Sequence, residues 1–199
     1  MSDILERQAA LQAQADTIVE KLDLTRLLGL AGKPVRVGSS ALGLMVRRDI
    51  DITTICDRLD AQTRRTVAEI ASELMLDQHI GAVRYRNDTG AWNVEPHAYP
   101  DGLYLAVTYR SERDEDWNLD LWFVDQPERQ PDIAHLKTLA PRLTDDIRRT
   151  ILAIKVGLAT STPKGSRPAS SALVYDAVLG GGVISIAGFE AWLAERAKP

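Results

Sequence analysis

The sequence predicts an α/β (α+β) fold: a small mixed sheet flanked by helices and followed by a helical segment. Three observations predict it. Runs of period two, rich in β-branched and aromatic residues, fall between Pro34 and Val124; helical spacing precedes and interrupts them; and after Pro141 only helical patterns remain.

Taken in order, residues 2 to 28 place Ile4, Leu11, Ala15, Ile18 and Leu22 on one stripe of a helix that ends near Gly29 and Gly32. The stripe reads as core packing and leaves a homodimer contact open. Pro34-Val35-Arg36-Val37 is a short strand stopped at Gly38, and Ser39 to Met45 is a short helix opened by two hydroxyls. Asp49 to Cys56 alternates at its start and is rich in β-branched residues, which makes a strand. Asp60 caps a helix whose Val67, Ile70, Ala71 and Leu74 share a face up to about Leu76.

Ile80 to Arg86 and Leu103 to Tyr109 follow as strands, separated by a Gly, Asn and Pro-bearing stretch, and Ser111 to Asp116 turns the chain into a strand over Trp117 to Val124. Pro127 and Pro131 close that strand. Thr144 then caps a helix to about Leu158, Thr160 to Pro168 is a loop, and helices run near Ala169 to Leu179 and Ile186 to Ala197. Two units are expected: an α/β body over residues 1–140 and a helical segment over 141–199.

The 199 residues are 45% apolar and 26% charged, enough to bury a core and inconsistent with intrinsic disorder. A single cysteine, Cys56, forms no intramolecular disulfide, and three scattered histidines assemble no zinc spacing. With no secretory start and no run of about 18 apolar residues, a cytoplasmic protein without a membrane span is expected. Residues 1–140 carry 16 basic and 23 acidic groups and residues 141–199 carry 8 and 5. An acidic body disfavours a long nucleic-acid groove and leaves a small phosphorylated ligand open.

Three aspartates lie inside apolar strands, where an unpaired charge is costly unless something compensates it. Asp49 and Asp51 are two apart and project from one strand face, while Ile50 and Ile52 point to the core. Asp120, between Leu119 and Leu121, offers a third carboxylate from a later strand. Oxygen donors of this kind suit Mg²⁺ and can hold two ions about 3.5 to 4 Å apart. Upstream, Val37-Gly38-Ser39-Ser40 leads from a strand into a helix, so Gly38, Ser39 and Ser40 can present N–H groups to phosphate oxygens. The plainer alternatives are carboxylates paired with Arg36, Arg47 or Arg48, and an ordinary strand-to-helix turn.

In this order and context, the motifs Val37-Gly38-Ser39, Asp49-Ile50-Asp51-Ile52 and Leu119-Asp120-Leu121 resemble those of the nucleotidyltransferase superfamily that includes DNA polymerase beta and the kanamycin and lincosamide nucleotidyltransferases. The resemblance covers residues from about 34 to 124. It implies that Asp49 and Asp51 bind both Mg²⁺ ions, that Asp120 binds the ion activating the acceptor, and that Gly38 and Ser39 hold the β- and γ-phosphates. It further implies a helical segment covering the nucleotide. There Lys155 either reaches the triphosphate or snorkels to water, and Tyr175 either stacks on a base or fills the core.

The expected activity is Mg²⁺-dependent transfer of a nucleoside monophosphate, AMP from ATP, to a hydroxyl of a small molecule, with release of pyrophosphate. The alternatives are a non-catalytic binding module of the same fold, such as a toxin–antitoxin component, or transfer to protein or tRNA. Arg84 and Arg86 alternate along one strand face and are better explained as solvent-facing than as cleft residues. His97, directly after Pro96, reads as a loop residue, and Trp122 and Trp192 read as core aromatics.

Overall fold

The computed structural model describes residues 3–161 and 169–196. Five strands, β1 (Lys33–Val37), β2 (Asp49–Ile55), β3 (Ile80–Asp88), β4 (Gly102–Arg110) and β5 (Asp116–Val124), form one sheet in the order β1-β2-β5-β4-β3. β2 pairs with β5 in parallel and the other neighbours are antiparallel, so the sheet is mixed as expected.

Alternation fixes what each face does. On one face Ile50, Ile52, Leu103, Leu105, Leu119, Leu121 and Phe123 are buried against α1 (Ile4–Lys21), α2 (Leu24–Gly29) and α4 (Ala61–Met75). Each such fully buried side chain contributes about 1.5–3 kcal/mol of burial free energy. Asp60 caps α4 as the sequence indicates, its carboxylate accepting from the backbone N–H groups of Gln62 and Thr63 at 2.9 and 3.0 Å.

A second core cluster joins the short α3 (Gly38–Leu42) and its following turn to α6 (Asp145–Ser161), α7 (Ser171–Leu179) and α8 (Ile186–Arg196). Leu42 and Leu44 supply its share from the body, packed with Ile151, Ile154, Val174 and Phe189, and Ile4 at the start of α1 packs against it. The helical segment thereby rests on the turn that follows the Gly-Ser motif.

Three local expectations are corrected. The long first helix is two helices, because Asp23 takes a left-handed conformation (φ 45°), which Asp tolerates better than most residues. A helix absent from the sequence reading, α5 (Pro131–Thr138), follows β5; Pro131 opens it, since a first-turn proline lacks only an N–H that has no helical partner there. α6 also runs past Leu158 to Ser161. Most of the expected 160–168 loop, and Ala197 at the end of the last helix, lie outside the described residues.

Candidate active site

The sheet face opposite the first core is where the strand aspartates emerge. Parallel pairing sets Asp51 beside Asp120 and Asp49 beside Asn118, and antiparallel pairing sets Ala106 beside Asp120. Residues paired across a sheet share a face, so Asp51, Asp120 and Ala106 form one row and Asp49, Asn118 and Thr108 the next. These rows floor a cleft of about 1020 Å³. Ser39 and Gly38 on α3, Lys155 on α6 and Tyr175 on α7 line its other side, with Asp132 and His135 from α5.

Each carboxylate has a different environment. Asn118 donates from Nδ2 to Asp49 Oδ1 at 3.0 Å, and the Tyr104 hydroxyl donates to Asp120 Oδ1. Burial raises the Tyr104 hydroxyl pKa, and the hydrogen bond to Asp120 adds to the effect. Asp51 is pushed up to about 7, first by burial and then by the charges of Asp120, Asp132 and Asp49, with Lys155 opposing. Burial likewise raises Asp132.

Lys155 is 8% exposed, and its Nζ donates to the Leu44 carbonyl at 2.7 Å and to the Tyr175 hydroxyl at 3.4 Å. Burial pushes this amine down to about 8, with Asp51 pulling the other way. The amine is therefore held inside the cleft and does not snorkel. Tyr175 is buried, as the core reading expects, and it lines the cleft.

Gly38 is required by its place. Its φ is +64°, and a Cβ there would overlap the Asp51 carboxylate, with Cγ at 2.9 Å. Gly38→Ala is expected to displace Asp51 and to cost about 1–3 kcal/mol through backbone strain and overlap. Urea unfolding of the two proteins checks this, and an unchanged midpoint overturns it.

Comparison with known proteins adds the fold's identity. No protein-family model and no curated protein matches the chain. Among solved structures, Cid1, an RNA terminal uridylyltransferase, superposes with a TM-score of 0.57 at 18% identity, over 87% of this chain and 47% of that one. The fold is the nucleotidyltransferase fold. Cid1 poly(U) polymerase bound to MgATP gives the same score and identity over 90% of this chain and 50% of that one. A cytoplasmic RNA terminal U-transferase gives 0.51 at 18% identity, over 90% and 46%. The chain thus spans about half the length of the structures it matches.

Within this nucleotidyltransferase fold, Asp49, Asp51, Asp120, Gly38, Ser39, Lys155 and Tyr175 meet at one cleft. Ser40 does not join them: it is buried, accepting from Arg36 Nε at 3.1 Å and donating to the Val37 carbonyl at 3.3 Å. The arginines suggested as carboxylate partners are engaged elsewhere or line the cleft. Arg36 pairs with Asp16 at 2.6 Å, Arg48 pairs with Glu115, and Arg47 lines the cleft.

Two sequence expectations change. Trp122 is not a core aromatic: two positions from Asp120, it shares that residue's face and stacks on Tyr104, centroids 4.7 Å apart, a placement that period-two counting already contains. Arg84 is exposed but lines the cleft. Asp132, His135, Tyr104 and Asn118 were not anticipated. Only Tyr104 and Asn118 carried a signal, as polar positions on the non-core side of their strands.

Among the described residues, no three acid, histidine or cysteine side chains are gathered closely enough to form a closed metal site. The donor set nevertheless suits a divalent cation. Asp49, Asp51 and Asp120 are hard oxygen donors on one sheet face, and the neighbouring carboxylate charges that add to burial in raising Asp51 are charges a cation relieves. No helix among the described residues is long and apolar enough to cross a membrane.

Proposed function

We propose that the protein is a nucleotidyltransferase that moves a nucleoside monophosphate, AMP from ATP, from a nucleoside triphosphate to a hydroxyl of a small molecule, releasing pyrophosphate. The observation that carries this reading is the row in which Asp51 and Asp120 stand side by side, with Asp49 on the same face of the same strand as Asp51, in the cleft that also holds buried Lys155. Asp49, Asp51 and Asp120 would hold two Mg²⁺ ions, which when bound neutralise phosphate charge and acidify an acceptor hydroxyl.

The chain's own residues then divide the work by position. Gly38 and Ser39 present backbone N–H groups to the terminal phosphates, and the Lys155 amine adds positive charge from α6. Tyr175 walls the pocket beside them. As the acceptor oxygen bonds to the α-phosphorus, the bond to the bridging oxygen breaks and pyrophosphate leaves. The hydroxyl proton passes to Asp120, a carboxylate that already accepts a hydrogen bond from a hydroxyl, that of Tyr104. α6 and α7 wall the nucleotide side of the cleft.

Thermal unfolding with ATP, GTP, CTP and UTP, each with and without Mg²⁺, tests the proposal. A ligand at about 100 times its Kd adds about 2.7 kcal/mol to stability, which raises the midpoint by roughly 5–10 °C in a chain of this size. The expected result is an Mg²⁺-dependent rise for at least one nucleotide, absent in Asp49→Ala/Asp51→Ala, with pyrophosphate release once an acceptor is supplied. No rise with any nucleotide overturns the reading.

A further inference from the structure

The cleft continues beyond the carboxylates over β4 and β3, and this half has its own chemistry. The row Asp51, Asp120, Ala106 extends by pairing to Arg84 on β3, and the row Asp49, Asn118, Thr108 extends to Ala82. Ala82, Ala106 and Thr108 are small, so beside Asp120 the sheet offers a shallow trough and not a wall. With strands about 4.8 Å apart, the Arg84 backbone stands two spacings, about 10 Å, from that of Asp120. All of these residues line the same cleft.

The two arginines of β3 differ in their state. Arg86 is committed: it pairs with Asp88 at 2.7 Å and lies over the rings of Tyr104 and Trp122, at 4.8 and 5.4 Å from their centroids. Arg84 has no acidic partner among the described residues, and its guanidinium is exposed at the trough's far edge. A guanidinium without a carboxylate, across small residues from a carboxylate that accepts a hydroxyl's hydrogen bond, is suited to an anion that also carries a hydroxyl.

Resting on the proposed transfer reaction, we infer that the acceptor is a small phosphorylated hydroxyl compound, of the size of a nucleoside monophosphate or sugar phosphate, whose phosphate binds Arg84 while its hydroxyl lies at Asp120. The two backbones stand two strand spacings, about 10 Å, apart, which is the scale of one nucleotide or sugar phosphate. Arg84 also sets the sign, because a polycationic acceptor such as an aminoglycoside would have its charge opposed where a phosphate is attracted. The Tyr104 hydroxyl reaches Asp120 from β4, the strand that floors the trough, so a hydroxyl arriving over β4 meets the same carboxylate.

The test uses matched pairs: a nucleoside and its monophosphate, a sugar and its phosphate, with an aminoglycoside and a short RNA bearing a free 3′-hydroxyl alongside. Turnover is read as kcat/KM. Binding is read by thermal shift with the donor site filled by a non-hydrolysable triphosphate and Mg²⁺. The expected result is at least about a tenfold preference for the phosphorylated member of one pair, which also identifies whether a nucleotide or a sugar phosphate is used. Arg84→Gln is expected to bring that pair to within about twofold, and Arg84→Lys to retain much of the preference. Equal use of both members, use of the aminoglycoside, or turnover with RNA alone overturns the inference. A nucleotide shift without phosphate preference defeats this inference only, whereas no Mg²⁺-dependent nucleotide shift defeats the transferase reading with it.

Discussion

Asp51→Asn is expected to stabilise the metal-free protein at pH 8 while abolishing nucleotide transfer. The reasoning starts from the carboxyl's place, half-buried beside Asp120 with Asp49 and Asp132 nearby, where its ionised form is disfavoured up to about pH 7. In the unfolded chain the same group ionises near its ordinary value of 3.8. Between these values the folded state binds more protons than the unfolded state, so stability falls as pH rises through that window and stays low above it. Asparagine fills the same volume without charge and removes this loss. Each pKa unit corresponds to about 1.4 kcal/mol, and partial access to water reduces the whole effect to about 1–3 kcal/mol.

The variant should therefore melt several degrees above the native protein at pH 8 and show no such advantage at pH 4. With Mg²⁺ and nucleotide the order should reverse, because only the native carboxylate can answer a cation's charge. Transfer should fall by at least about a thousandfold. Parallel melting curves at the two pH values, with and without Mg²⁺-nucleotide, read all of this. A variant less stable than the native protein at pH 8 would falsify the electrostatic account.

For Asp120→Asn the expected result is a split between binding and turnover. Asparagine still offers Oδ1 to the Tyr104 hydroxyl, so the strand and its stacked Trp122 keep their places. What is lost is a carboxylate able to take the acceptor's proton and part of the oxygen-donor set. General-base loss contributes about 10²–10⁴ in rate. kcat should fall within or beyond that range, while the nucleotide-induced melting shift, carried by Asp49, Asp51, Ser39 and Lys155, should persist. If the shift disappears as well, Asp120 serves the donor and its role at the acceptor is wrong.

Much of this site was legible in the chain because strand parity is a local property. Asp49 and Asp51 share a face whatever the sheet's topology, and Leu119 and Leu121 bury only if Asp120 turns the other way. The same parity places Trp122 with Asp120, against the hydrophobicity that suggests a core residue. Ser40 was misplaced because a short helix following a glycine in the left-handed region gives no such alternation. α5 was missed because Pro131 reads equally as the end of a strand or the first turn of a helix.

By itself, then, the sequence determined the five strands and most of the helices, the face on which Asp49, Asp51 and Asp120 stand and the cap of α4, since propensity and periodicity act over a few residues. Only the tertiary structure decided that β5 lies between β2 and β4, which brings Asp120 beside Asp51, sets Arg84 two strands away, and lays α6 over the cleft with its lysine inside. Strand order and helix docking depend on which apolar faces bury together across the whole chain, and no local pattern encodes that choice.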